Sequence, residues 1–272
     1  MRDFFQSTTL VPILGIPDVD ARIKKVMEDQ WTFTKFQFVP YEDLDRVAEE
    51  GDEKSTSKIS IDTYYFDGTF VTTCLNVAMP GNPQFTRMRN VIASVPLNCG
   101  QLNRKQFGDA CSYEANAYKM DIMILQLMEI ITFVREQAYK PRQAHLSGVQ
   151  KYVSKFNEWV QANPPQTEKK PLLVSQAFFT DKFSSGDFDK WYKGPIKFVS
   201  QEEYERIIKE RSLAYYYLFF GQDPRVILSV FDPESQRTLF LDSNYAKSTT
   251  FGKMVRMSAA QIKRLQAQLG SL

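Results

Sequence analysis

His145 is the only histidine among 272 residues, which excludes a multi-histidine metal centre and an H-E-x-x-H motif. A nucleophile activated by it would have to be a serine or one of three cysteines, Cys74, Cys99 and Cys111, brought within hydrogen-bond reach by the fold. No spacing favours such a pair, and the loop Pro141-Arg142-Gln143-Ala144-His145 reads as surface. Ser55-x-x-Lys58 matches a serine-lysine pair only in its shortest form, inside the polar run EGDEKSTSK. Gly252-Lys253 lacks the upstream glycine and the following hydroxyl of a phosphate loop, and no G-x-G-x-x-G occurs. The carboxylates of 41–53 fit a solvated helix face and lack the alternating ligands and glycine turn of a calcium loop. No cofactor and no metal are implied.

Composition narrows the partners. Lys and Arg number 34 against 32 Asp and Glu, a net charge of +2, without the concentrated basic face of a nucleic-acid binder. With 37 aromatic residues (3 Trp, 13 Tyr, 21 Phe), the chain must fold to pack them away. The longest apolar stretch, 118–134, is broken by Lys119, Asp121, Gln126 and Glu129, so no membrane span is expected. The N-terminus does not lead into a signal-peptide core, because Pro12 and Gly15 interrupt Leu10 to Ile16. A start methionine on a trimmed mature chain would read the same, so cytoplasmic, periplasmic and secreted settings all remain open. Cys99 and Cys111 are close enough in sequence to form a disulfide in an oxidising compartment, against the alternative of three unrelated buried thiols. No Asn-x-Ser/Thr acceptor is present.

An internal repeat organises the chain. Residues 31–48 read WTFTKFQFVPYEDLDRVA and residues 191–208 read WYKGPIKFVSQEEYERII. At a fixed offset of 160, Trp31/Trp191, Phe38/Phe198, Val39/Val199, Glu42/Glu202 and Arg46/Arg206 are identical, where about one match is expected from ordinary composition. Each copy is a short apolar strand followed by an acidic first helical turn, which suits the positive end of a helix dipole. Ser200 is a natural N-cap, and Pro40 stands in the same neighbourhood of the first copy.

The order of elements also repeats. Leu10 to Leu14 and Leu172 to Val174 read as strands, followed by amphipathic Val19 to Glu28 and Phe183 to Tyr192. Ile59 to Phe66 and Phe70 to Val77 flank the hairpin turn Asp67-Gly68; the second copy has Leu213 to Phe220, the turn Gly221-Gln222-Asp223-Pro224, Val226 to Phe231, and a further strand Thr238 to Leu241. Each unit is therefore β-α-β-α-β-β with a mixed sheet, a thioredoxin-like order, although neither has the C-x-x-C pair of that chemistry. The predicted α/β architecture is two tandem related units, 1–112 and 168–272, joined by a helical connector, 113–167. Within the connector Tyr113 to Tyr139 and Leu146 to Gln161 are helical, and Asn163-Pro164-Pro165 ends the second helix.

The copies FVPYEDLDRV and FVSQEEYERI, the long middle helix and the strand RTLFLDS resemble a group of uncharacterised, often exported Bacteroidota proteins. The resemblance implies an extracytoplasmic setting and brings no activity.

The expected function is non-enzymatic binding or scaffolding of an unknown protein or small molecule; the alternative is an enzyme with a site assembled across the cleft between the units. The candidate binding residues are Trp31, Trp191, Tyr215 and Tyr217, the tyrosines sharing one side of the strand in YYYLFF. The C-terminal tail has no acidic residue after Asp242, while Lys247, Lys253, Arg256, Lys263 and Arg264 give it +5. It reads as a helix packing on its unit with a basic face to water.

Overall fold

The computed structural model describes residues 2–51, 55–66, 69–78, 91–96, 116–137, 146–179, 184–222, 225–245 and 257–271. The chain divides into two compact units, residues 1–97 with 112–142, and residues 98–111 with 143–272. Of the 113–167 stretch read as a connector, the helix 120–136 falls in the first unit and the helix 146–162 in the second.

The first unit begins with a short helix, α1 (Arg2–Gln6), held by the wholly buried Phe4, and β1 (Thr8–Ile13) starts earlier than the apolar run suggests. Pro12 is tolerated inside this central strand because β1 pairs with β3 only through Thr8 to Leu10. Gly15, at φ 75, turns the chain into α2 (Pro17–Gln30), where Pro17 occupies a first-turn position that has no use for an amide hydrogen. Then follow β2 (Lys35–Pro40), α3 (Leu44–Glu50), β3 (Thr56–Phe66), β4 (Thr69–Ala78), β5 (Val91–Pro96) and α4 (Met120–Glu136). Leu10, Val39, Leu44 and Ala48 form one core between the sheet and α3. Alternation sends Val11 to the opposite face. Nearly every residue of α4 from Met120 to Val134 is buried, including Asp121, which pairs with Arg22 at 3.7 Å.

The second unit comprises α5 (Leu146–Ala162), β6 (Leu172–Ser175), α6 (Ser185–Trp191), β7 (Ile196–Val199), α7 (Gln201–Lys209), β8 (Tyr216–Gln222), β9 (Arg225–Asp232), β10 (Arg237–Tyr245) and α8 (Ala259–Ser271). Ser200 caps α7 as expected, accepting from the Glu203 amide at 3.2 Å. Of the expected turn residues, Gly221 and Gln222 belong to β8, paired with Ile227 and Val226, and Asp67, Gly68, Asp223 and Pro224 lie outside the described residues.

Both units contain a five-stranded mixed sheet with the same plan: β2-β1-β3-β4-β5 in one and β7-β6-β8-β9-β10 in the other. In each, three strands are parallel and the last two antiparallel. The third antiparallel-region strand lengthens the thioredoxin-like order in both, and β5 is the one strand the sequence pattern does not announce. Register agrees residue by residue. Thr9 lies between Phe36 and Ser57, as Leu172 lies between Ile196 and Tyr216. Val77 lies between Ile59 and Ala93, as Val230 lies between Leu218 and Phe240. The segments matched at an offset of 160 hold the same sheet positions, since Phe38 pairs with Val11 and Phe198 with Val174.

The β10 edge is closed by side chains that imitate a neighbouring strand. Asn157 on α5 donates its Nδ2 to the Leu241 carbonyl at 2.8 Å and accepts from the Leu241 amide at 2.9 Å through Oδ1. Gln268 on α8 donates to the Leu239 carbonyl at 3.1 Å. Backbone groups that would template another strand are thereby occupied. At the opposite edge, β7 is only four residues long and carries exposed Lys197, two other devices against edge pairing.

Candidate binding site

Trp191 ends α6, and local chemistry fixes its place. Ser184 starts the helix with a capping box: its Oγ accepts from the Asp187 amide, and the Asp187 carboxylate accepts from the Ser184 amide at 2.9 Å and hydroxyl at 3.0 Å. The Ser184 amide and then its hydroxyl hold the Asp187 carboxyl below its ordinary 3.8. Phe188 is buried within van der Waals reach of Phe179, Phe198 and Tyr192. Tyr192 turns inward after the helix, and burial, reinforced by Tyr216, pushes its phenol up to about 12. Gly194 follows because a Cβ there would lie 2.7 Å from the Tyr192 hydroxyl.

These contacts leave the Trp191 ring half-buried beneath two cations. The Lys190 Nζ lies 5.2 Å and the Lys263 Nζ 4.2 Å from its centroid. Lys263 comes from α8, which is pinned nearby by a hydrogen bond from the Lys193 amide to Gln266 Oε1 at 2.5 Å. The expected basic face of the terminal helix is therefore divided: Lys263 covers an aromatic ring, and Arg264 pairs with the buried Asp242 at 2.7 Å. Lys247, Lys253 and Arg256 lie outside the described residues.

Trp31 holds the equivalent position in the first unit in a different state. Its ring is 5% exposed and meets Phe33 edge-on at 5.3 Å, with Arg135 of α4 over Phe33. The indole Nε1 donates to Thr34 Oγ1 at 2.8 Å. From there a chain of hydroxyls runs through Thr9 at 2.6 Å, Ser57 at 2.7 Å and Ser7 at 2.9 Å to the Phe4 carbonyl at 2.8 Å. Trp31 is thus a core residue with its polar atom committed.

The tyrosine row is also divided. Tyr217 is wholly buried and donates to the Ser212 carbonyl at 2.6 Å, whereas Tyr215 is half-buried. The structure therefore puts Trp191, Tyr215 and Tyr217 in the second unit and Trp31 in the first. Of these four, Trp191 and Tyr215 keep ring surface open to solvent. His145, Cys99 and Cys111 lie outside the described residues, and Cys74 stands in β4 opposite Asp62 and Pro96.

A polar cluster the sequence reading did not single out sits beneath the β9–β10 turn. Asp232 is wholly buried and accepts from Lys170 at 2.8 Å, Thr167 at 3.0 Å and the Ser235 hydroxyl at 2.6 Å, with the Glu234 and Ser235 amides adding two more bonds. Burial alone would raise its carboxyl, but the donors, Lys170 foremost, hold it below 3.8. Burial likewise opposes the Lys170 charge and is outweighed by Asp232 and Glu234, so its ammonium lies above 10.5. The cluster ties the approach to β6 to the far hairpin. Its geometry is that of a filled structural joint, because Asp232 accepts from all of these donors and Lys170 also reaches Glu234 at 2.7 Å.

Ligands of open α/β sheets gather at the carboxyl ends of parallel strands, where the strand order reverses. In the first unit Asp20 accepts there from the Leu14 amide at 2.8 Å. In the second, Ser175 donates to Gln201 at 2.7 Å, Gln201 donates to Glu205 at 2.6 Å, and Phe178 packs against Tyr204 and Phe220. Of the acidic segment expected to be solvated, Glu42, Asp45, Glu49 and Glu50 are exposed, with Arg46 bridging Asp43 and Glu50 and Lys58 reaching Asp45, while Asp52 and Glu53 lie outside the described residues. Among the described residues no three His, Cys, Asp or Glu side chains gather where a metal ion could be held, and no helix is long and apolar enough to cross a membrane. Comparison with protein-family models, curated proteins and solved structures finds no match.

Proposed function

We propose that this chain is a non-enzymatic binding or scaffold protein. The observation that carries the reading is that the polar groups at both strand-order reversals bond within the chain, Asp20 to Leu14 in one unit and Ser175 to Gln201 to Glu205 beside Phe178 in the other. A general acid or base needs a group turned toward a substrate position that can donate or accept a proton there, and these groups are turned toward backbone or one another. Recognition then falls to surfaces such as the ring of Trp191.

The test is a turnover screen of the whole chain with chromogenic esters, phosphate esters, glycosides and peptides. No turnover proportional to protein concentration is expected. Turnover that is abolished by His145→Ala or by Cys99→Ser or Cys111→Ser refutes the reading and establishes an enzyme.

A further inference from the structure

Resting on the binding-protein reading, we propose that the Trp191 face of the second unit docks an acidic peptide segment of a partner protein. Two positions with the same place in the same sheet plan have diverged in how their polar groups are engaged. In the first unit the Trp31 indole N–H is taken by the Thr34 hydroxyl; at Thr34's position the second unit has Gly194, which has no side chain to accept it. Among the described residues the Trp191 indole N–H and the ammonium groups of Lys190 and Lys263 form no hydrogen bond or ion pair, and both ammonium groups share one ring.

The neighbouring charges form no ion pair with them. Asp187 attracts Lys190 from a distance but is held in the capping box, Arg264 is paired with Asp242, and Lys193 donates to the Asp189 carbonyl at 2.8 Å. Asp189 is two residues from Trp191 and so on another side of α6. Two like charges over one ring repel, and a carboxylate between them relieves the repulsion while accepting from the indole. The exposed part of the ring offers a platform for an apolar side chain beside that carboxylate. A protein segment supplies both groups at residue spacing, which free phosphate does not.

The probe is a capped decapeptide of alternating Glu and Leu, titrated into the full chain by calorimetry. Saturable binding that weakens with salt is expected, and a Gln-Leu peptide should not bind. Because the lysines are exposed, the Lys190→Gln/Lys263→Gln variant should fold as the parent does and bind about tenfold more weakly, from about 0.7 kcal/mol per exposed pair. Trp191→Phe should weaken binding severalfold, and Trp31→Phe should leave it unchanged. No binding at millimolar peptide, equal affinity of the double-lysine variant, or preference for phosphatidylserine vesicles or inorganic phosphate overturns the proposal. The turnover screen is independent of these titrations, so a negative screen with no peptide binding removes this docking site and leaves the non-enzymatic reading in place.

Discussion

Replacing Asp232 with Asn tests whether the cluster under the β9–β10 turn holds the second unit together. Asn keeps the shape and one carbonyl acceptor but removes the charge and puts an amide donor beside Thr167, Ser235 or Lys170. Breaking a buried ion pair from one side costs about 3 to 5 kcal/mol where the remaining charge is stranded. Lys170 is not fully stranded, because Glu234 stays at 2.7 Å with a side chain 49% exposed. The expected loss is therefore about 2 to 3 kcal/mol, near the value of one or two charge-assisted hydrogen bonds. Urea unfolding, followed by hydrogen exchange on the β9–β10 amides, measures it without assuming that the units unfold together. The pH dependence carries the sign. The Asp232 carboxyl is lowered in the folded state, so its stabilisation is complete above the ordinary 3.8 and is lost as pH falls through its folded value. The gap between parent and variant should therefore be constant from pH 7 to 5 and close below pH 4. A loss under 0.5 kcal/mol, or a gap that does not narrow in acid, refutes the assignment.

Other expected outcomes follow from single contacts. Asn157→Leu strands the Leu241 amide and carbonyl, so urea unfolding should show a loss of about 2 kcal/mol, and light scattering should show new self-association through the opened edge. Ser200→Ala removes the Glu203 cap and should cost about 1 kcal/mol, with Ser200→Asp restoring most of it. Gly15→Ala meets no atom within 4 Å, so any loss in thermal stability comes from the positive φ alone and should be about 1 kcal/mol.

The strand and helix plan is legible because each element carries its own period, and α2 and α6 lie within two residues of their expected ends. The repeated WTFT and WYKG segments locate equivalent positions of the two sheets because sheet register is a strict two-residue code. β5 escapes notice because Val91 to Pro96 is short and ends in proline. The Asp232 joint escapes for a different reason: its partner Lys170 is 62 residues away, and pairing at that distance is a property of the sheet order. The difference between Trp31 and Trp191 is written in the sequence, as a hydroxyl three residues after one tryptophan and a glycine after the other. Only the geometry shows that this residue decides whether the indole is engaged.

Two sheets with one strand plan in one chain create a folding hazard, since β1 could be threaded where β6 belongs. The hydroxyl chain of the first unit makes such an exchange costly. β1 placed in the second sheet would put Thr9 where Leu172 is wholly buried between Ile196 and Tyr216, leaving its hydroxyl without Thr34 or Ser57. The reverse exchange would set Leu172 among hydroxyls that then lose their acceptor. Burial of the Thr9 hydroxyl among Thr34 and Ser57 thus favours β1 in its own sheet over the other.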